Sequence, residues 1–271
     1  MKTARIKPPS MILIPAGKFF IGTSEEQIEY MLRNYTWADD WDEGDLFQVE
    51  QPYHSLILPA FEIARYPVTN EEYHIFVWET GYRVPKGWLG FSYNEEEVNH
   101  PVVGVSRDDA AAYCSWVTGK LAGQVASPYA TGPYRLPSEA EWERAARGQD
   151  KRIYPWGNDF DPWRCNTKES CKGGTTPVGS YSPSGDSPWG LADLVGNVWE
   201  WTCSTLRSYP YQSNDGREDL QSRDVCVIRG GAWYYSHRLA RCSAREGVLP
   251  GYTSNSLGFR LARTFEAVRR G

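Results

Sequence analysis

Six cysteines and four histidines are the side chains of this 271-residue chain best suited to redox or metal chemistry. Cys165 and Cys171 are separated by five residues and could pair or hold a metal, yet no second cysteine pair or nearby histidine completes a site. The histidines are scattered, so their spacing predicts no three-histidine iron site. We interpret most of the cysteines as buried thiols, because an even count without a secretion signal does not indicate a disulfide framework.

Capping boxes predict three of the helices that would position functional side chains. Each box has a hydroxyl followed three residues later by a carboxylate, at the start of an apolar run with helical spacing. The boxes are Thr69 with Glu72, Ser106 with Asp109, and Ser138 with Glu141. A further helix is predicted over residues 24–34, with Ser24 as its cap. After Ser138, we expect Glu139, Glu141 and Glu143 to form a solvated helix face with one cap.

Short apolar runs predict the strands. Residues 11–22 contain two such runs broken at 15–17, a pattern that favours an opening hairpin. Residues 61–69 indicate a strand that leads into a helix, and the acidic, aromatic stretch 37–47 is predicted to be a surface loop. After Gly148 the helical periodicity stops. Strand-like pieces at 198–203, 225–229 and 258–262 therefore predict a second half made mostly of loops on a small sheet.

Composition limits the classes of partner. The net charge of -5 arises from acidic and basic residues spread along the chain, without the basic stripe that follows phosphates, so no nucleic acid is expected. No charged-then-apolar leader and no long apolar stretch is present, which predicts no membrane partner and a cytoplasmic location. The 12 Trp, 17 Tyr, 25 Gly and 18 Pro favour a fold with much irregular backbone, in which aromatic side chains supply the burial.

Eight motifs, in order along nearly the whole chain, resemble those of the formylglycine-generating enzyme (sulfatase-modifying factor) family. They are Ile14-Pro-Ala-Gly17, Arg65-Tyr-Pro-Val-Thr-Asn70, His100-Pro-Val-Val-Gly-Val-Ser106, Tyr134-Arg-Leu-Pro-Ser-Glu-Ala-Glu-Trp-Glu143, Tyr154-Pro-Trp-Gly157, Gly196-Asn-Val-Trp-Glu-Trp201, Arg229-Gly-Gly-Ala-Trp233 and Leu257-Gly-Phe-Arg260. The resemblance implies one α+β domain over residues 1–271. Its C-type-lectin-like fold would contain small antiparallel sheets, a few short helices and much irregular structure.

The catalytic cysteine pair of that family has no counterpart here. Active members use two cysteines, placed shortly after the segment that corresponds to residues 230–232, to bind copper and activate oxygen. Residues 230–245 contain one cysteine, Cys242, and Tyr235 falls where the first catalytic cysteine would lie. We therefore expect no formylglycine-generating activity and no copper.

The resemblance also implies candidate calcium positions. In the first, Asp193 and Glu200 would give side-chain oxygens, and Gly196 and Val198 would give carbonyls, which suits a hard cation. The alternative is that the two carboxylates only accept hydrogen bonds from loop amides. A second position matches Asn166 and Thr167, although its acidic ligand falls near Ser170.

Residues 233–256 are rich in side chains suited to contact, of the kinds found in adaptable paratopes. The predicted ligand-binding residues are Trp233, Tyr234, Tyr235, Ser236, His237, Leu239, Glu246, Gly247, Val248, Tyr252, Ser254, Asn255 and Ser256. Arg238, Arg241 and Arg245 are interpreted as scaffold. The placement resembles that of the variable proteins of diversity-generating retroelements, which randomise asparagine codons near the C-terminus. A binding groove that drifted without such a mutator is the alternative.

Three functions therefore compete. The first is a ligand-binding or display domain that uses residues 233–256 to bind a protein or peptide. The second is an oxidase of the parent family, and the third is a non-catalytic partner or regulatory module. Loss of the cysteine pair favours the first over the second.

Overall fold

The computed structural model describes residues 6–122 and 132–265 of the chain. Five α-helices lie within these ranges, and all but one of them stand in the first 121 residues of the sequence. They are α1 (Glu25–Asn34), α2 (Trp37–Glu43), α3 (Asn70–Thr80), α4 (Arg107–Lys120) and α5 (Glu139–Arg147). Short 3₁₀ helices occur at Leu46–Glu50, Glu95–Glu97, Pro162–Arg164, Lys168–Ser170 and His237–Leu239.

The three predicted capping boxes are confirmed. Thr69, Ser106 and Ser138 each accept a hydrogen bond from the backbone N–H three residues later, and the acidic partner of each bonds back to the cap. Ser24 caps α1 in the same way, with Gln27 as its partner. Local sequence therefore determines where these helices begin.

Ten short strands form three sheets within the described ranges. They are β1 (Met11–Ile14), β2 (Gly17–Ile21), β3 (His54–Leu58), β4 (Phe61–Ala64), β5 (Tyr134–Arg135), β6 (Trp199–Thr205), β7 (Cys226–Arg229), β8 (Arg245–Val248), β9 (Leu257–Gly258) and β10 (Ala262–Thr264). The sheet orders are β1-β4-β10-β5, β2-β3 and β8-β7-β6-β9. The pairs are antiparallel except β6 with β9, which is parallel. The architecture is the α+β, loop-rich type that the sequence predicts.

The predicted opening hairpin is wrong. Both strands exist, but Met11 of β1 pairs with Ala64 of β4, whereas Gly17 of β2 pairs with Leu58 of β3. Residues 15 and 16 carry the chain from one sheet to another instead of folding it back on itself. Two adjacent apolar runs thus indicate two strands but not which strands pair, because pairing depends on distant partners.

The solvated face predicted for α5 is also wrong. All nine residues of this helix are buried, including Glu139 and Glu143, which have no exposed surface. The two carboxylates contact Nη2 of Arg229 at 2.6 and 3.0 Å. Opposite charges from distant parts of the sequence therefore make burial of these acids tolerable.

Residues 37–47 are not a surface loop. They form α2 and the start of a 3₁₀ helix, and they bury Ala38 and Phe47 against Met31 in a core cluster beneath α1. The acidic residues of the segment obscure this apolar side in the sequence. Within residues 6–122 and 132–265, no helix is both long and apolar enough to cross a bilayer.

Candidate functional site

The sheet β8-β7-β6-β9 is called the C-terminal sheet below. A pocket of about 190 Å³ opens at this sheet, and we call it the C-terminal pocket. Seven predicted ligand-binding residues line it, namely Tyr235, Glu246, Gly247, Val248, Tyr252, Ser254 and Ser256. Sequence reasoning missed Trp199, Ile228 and Leu257, which also line it. These three stand on β6, β7 and β9, which strand pairing places in the same sheet as β8. Because these side chains are apolar, the sequence alone does not distinguish them from ordinary core residues.

Two neighbouring tyrosines form an aromatic surface at this pocket. The rings of Tyr234 and Tyr235 stack with centroids 4.4 Å apart, and Tyr234 keeps 38% of its surface exposed. The Ser256 hydroxyl donates to the Tyr234 hydroxyl at 3.2 Å, and the hydroxyls of Ser254 and Ser256 lie 3.0 Å apart. Tyr252, 47% exposed, lines the same pocket. The arrangement offers flat apolar surface with hydroxyl groups at its edge, which suits contact with another molecule.

His237 does not belong to this site, contrary to the prediction. Its ring stacks on Phe160 with centroids 4.1 Å apart, and its Nδ1 lies 2.7 Å from the Tyr154 hydroxyl. Burial lowers the pKa of the imidazole. The side chain is 9% exposed and anchors the 3₁₀ helix His237–Leu239. It is therefore unsuited to ligand contact.

The remaining predicted contact residues surround the pocket without lining it. Leu239 is partly buried against the hydrophobic core, and Ser236 stands at the N-cap position of the 3₁₀ helix that begins at His237, without a side-chain capping hydrogen bond. Trp233 is half-buried with its ring edge-on to Tyr234, and Asn255 is exposed between two pocket serines. We retain Trp233 and Asn255 as candidate rim residues.

Buried arginines hold the segment in place, as predicted for the scaffold set. Arg241 contacts Glu50 at 2.7 Å, and Arg245 contacts Glu139 at 2.6 Å. Arg238 lies over the ring of Trp41, so it also packs against protein. These contacts join residues 233–256 to α2, to α5 and to the 3₁₀ helix Leu46–Glu50. The contact residues thus stand on a rigid base.

The first candidate calcium loop is built around an ion pair. Both Glu200 oxygens accept hydrogen bonds from Arg260 at 2.6 Å, and Trp142 Nε1 donates to the same carboxylate at 2.8 Å. Asp193 accepts the Gly179 N–H at 2.6 Å, and burial raises the pKa of its carboxyl to about 6. A cation would stabilise Asp193, whereas an arginine already neutralises Glu200. Calcium at this loop, including the carbonyls of Gly196 and Val198, stays a prediction.

The second candidate loop has a serine where an acidic ligand would stand. The Ser170 hydroxyl donates to the Thr167 carbonyl at 2.7 Å and lies 3.2 Å from Asn166 Oδ1. Asn166 also pairs with Gly196 in an isolated bridge, so the two candidate loops are in direct contact. The oxygens of Asn166 and Thr167 thus face a hydroxyl donor. This donor set fits a neutral hydrogen bond better than a divalent cation.

Five of the six cysteines are buried, and Cys171 is exposed. Burial raises the pKa of the Cys242 thiol to about 12, so it is protonated at neutral pH. Cys203 donates to Glu218 at 2.9 Å, and burial raises the pKa of its thiol as well. Within the described residues, no group of three or more His, Cys, Asp or Glu side chains is arranged to hold a metal.

Comparisons with known proteins give the relationship of this chain. A family model described as the sulfatase-modifying factor enzyme 1-like domain matches residues 1–265. The chain is 32% identical to the inactive Cα-formylglycine-generating enzyme 2 of Bos taurus, over 93% of this chain and 87% of that protein. It is 29% identical to the formylglycine-generating enzyme of Bos taurus, over 94% of this chain and 75% of that protein. The solved structure of Treponema denticola variable protein 1 superposes with a TM-score of 0.69 at 21% identity, over 93% and 94% of the two chains.

Proposed function

Since this chain belongs to the sulfatase-modifying factor, or formylglycine-generating enzyme, family, we propose that it is a non-catalytic member that binds a protein or peptide ligand. The observation that carries the proposal is the C-terminal pocket, where the stacked pair Tyr234 and Tyr235 meets Tyr252 and two serine hydroxyls. Exposed tyrosines on a rigid base supply contact area at low cost in side-chain entropy. Such residues usually dominate affinity at interfaces.

The chemistry of the same segment argues against the parent reaction. Tyr235 lines the pocket at the position predicted for the first catalytic cysteine, and its hydrogen bond with Tyr234 raises the pKa of its hydroxyl. Cys242 is buried, burial raises the pKa of its thiol, and residues 230–245 contain no second cysteine to complete a copper-binding pair. An oxidase that uses another cysteine is the second candidate, and the relationship to an active formylglycine-generating enzyme is the observation that favours it.

A finer proposal is that the contact residues are actively diversified by a retroelement. Seven of the residues identified from their paratope-like types do line one pocket, which supports a common binding role. The fold shared with a variable protein is consistent with it. A reverse-transcriptase gene and a near-copy of the segment beside the coding sequence are expected. If the DNA that flanks the coding sequence contains neither, the proposal of active diversification fails and ordinary drift accounts for the segment.

A displayed random-peptide library, panned on the full chain, tests the binding function. We expect selected peptides to lose at least about tenfold in affinity when Tyr234, Tyr235 and Tyr252 are all replaced by Ser. A matched control replaces Trp78, Phe91 and Trp163 by Ser, because these aromatics are at least as exposed and lie outside the pocket. Near-ultraviolet circular dichroism checks that both variants fold. Failure to select binders, or equal loss in both variants, would contradict the proposal.

A further inference from the structure

One charged residue, Glu246, lines the C-terminal pocket. Glu246 is an exposed carboxylate, and the other lining residues are aromatic, aliphatic, glycine or serine. Neither lysine nor arginine lines the pocket. A ligand group that enters it therefore meets one negative charge with no compensating positive one. Coulombic attraction favours a cation and disfavours a carboxylate or phosphate.

The aromatic residues of the pocket favour the same sign of charge. Trp199, Tyr235 and Tyr252 contribute three rings to its lining. Trp199 meets Tyr235 edge-on with centroids 5.7 Å apart, so two of the rings are in contact. Aromatic faces carry partial negative charge and attract ammonium and guanidinium groups. Serine hydroxyls at positions 254 and 256 add acceptor oxygens beside them.

Glu246 is held in a position from which it can meet a ligand. Its Oε1 accepts the N–H of Gly247 at 3.0 Å, in the outer strand β8. No Lys or Arg of the described residues forms a salt bridge with it. By contrast, the buried carboxylates of Glu50, Glu139 and Glu200 are paired with arginines. The carboxylate of Glu246 thus has no internal salt-bridge partner and is open to an external cation.

We propose that the C-terminal pocket takes a basic side chain of the ligand, with Glu246 as its counter-ion and Trp199, Tyr235 and Tyr252 as its aromatic surround. Glu246 then determines specificity, while the tyrosine surface around it provides contact area. This inference rests on the proposed binding function and adds the chemical class of the group that is recognised. Peptides or proteins with a protruding arginine or lysine are the ligands that fit.

Single-residue probes test the inference without knowledge of the natural ligand. The probes are N-acetyl-arginine methylamide, its uncharged citrulline analogue and N-acetyl-glutamate methylamide, each titrated into the full chain and followed by tryptophan fluorescence and calorimetry. Saturable binding of the arginine probe is expected, with the citrulline and glutamate probes weaker. Glu246→Gln should weaken the arginine probe by about fivefold to tenfold. Glu96→Gln, at an exposed carboxylate on the 3₁₀ helix Glu95–Glu97, should leave it unchanged.

The outcomes separate this inference from the proposed function. If library panning selects peptides that depend on the three tyrosines but lack basic residues, binding stands and the cation assignment fails. Equal binding of the arginine and citrulline probes, or an unchanged affinity in Glu246→Gln, would also overturn it. A charge-reversed variant, Glu246→Lys, should select acidic peptides from the same library. If no peptide binds the wild-type chain at all, the proposed function itself fails.

Discussion

The guanidinium of Arg260 is paired with the carboxylate of Glu200 through two contacts of 2.6 Å, and neither side chain has exposed surface. Arg260 also donates to the carbonyls of Ala64 and Ala192 at 3.0 and 2.9 Å. One arginine therefore joins β6, the end of β4 and the loop that precedes Asp193. The loop considered for calcium is thus organised by an internal cation.

Glu200→Gln should destabilise the fold strongly. The change keeps the shape of the side chain but leaves the buried Arg260 charge without its partner, which typically costs about 3–5 kcal/mol. Denaturant unfolding at pH 7 measures the free energy of unfolding. Glu29→Gln is the matched control, because Glu29 pairs with Arg33 at the surface with about 70% exposure on both sides and should cost about 0–0.5 kcal/mol. Similar losses in the two variants would contradict the structural role of the buried pair.

Gly196→Ala should destabilise more than Gly190→Ala. Both glycines have positive φ, +72° and +85°, so each alanine incurs the left-handed backbone penalty of about 1–2 kcal/mol. Only at Gly196 would the new Cβ also meet backbone, the carbonyl oxygen of Asn166 at 2.1 Å. Unfolding free energies of the two variants separate backbone strain from this clash. If both variants lose the same free energy of unfolding, the backbone at Asn166 moves away from the new Cβ at little energetic cost.

A structural feature of this molecule can be predicted from the sequence when the residues that form it lie close together along the chain. The N-termini after Thr69 and Ser138 were predictable, because a capping box involves residues three apart. Burial of Glu143 was not, because its partner Arg229 lies 86 positions away in the sequence. The tyrosines at 234, 235 and 252 were identified by residue type, whereas Trp199 and Ile228 required the strand order of the C-terminal sheet.

Ser170→Asp should increase calcium binding at the second candidate loop. The serine hydroxyl lies 2.7 Å from the Thr167 carbonyl and 3.2 Å from Asn166 Oδ1, so an aspartate there would place a carboxylate among hard oxygens. Equilibrium dialysis should show more bound Ca²⁺ than in wild type, and calcium should raise the melting temperature of the variant. Ser170→Asn, which replaces the hydroxyl by an uncharged amide, is the control. The wild-type measurement tests the Asp193 loop, and identical binding in all three chains would contradict a gain at Ser170.

Stability should fall as the pH drops through the range in which His237 titrates. Burial lowers the pKa of this imidazole below 6.5, Arg241 and Arg238 act in the same direction, and Glu169 opposes them. The unfolded chain therefore binds the proton at higher pH than the folded chain. Neutral His237 contributes to the free energy of unfolding above about pH 6.5. This contribution is lost as the pH falls below that value, with a slope of at most about 1.4 kcal/mol per pH unit.

His237→Phe isolates this effect, because it keeps a ring on Phe160 and removes the titrating group. The variant also loses the contact with the Tyr154 hydroxyl, which lowers its stability at every pH. The difference in unfolding free energy between wild type and variant should therefore shrink as the pH falls from 7.5 to 5. If the stability curves of the two chains are parallel over this pH range, the pKa of His237 is the same in the folded and the unfolded chain. His100, whose pKa burial also lowers, is present in both chains and cancels in the difference.

The chain should not convert a cysteine-containing sulfatase-motif peptide to an aldehyde in the presence of copper and oxygen. The parent reaction needs a pair of cysteines, whereas residues 230–245 contain one, Cys242, which is buried and whose thiol pKa burial raises to about 12. Mass spectrometry after hydroxylamine labelling detects the aldehyde, with the bovine formylglycine-generating enzyme as the positive control. Cys171 is the exposed thiol of this chain, so Cys171→Ser is run in parallel. Aldehyde formed by wild type and lost in Cys171→Ser would establish an oxidase with a different cysteine arrangement, and would overturn the non-catalytic assignment.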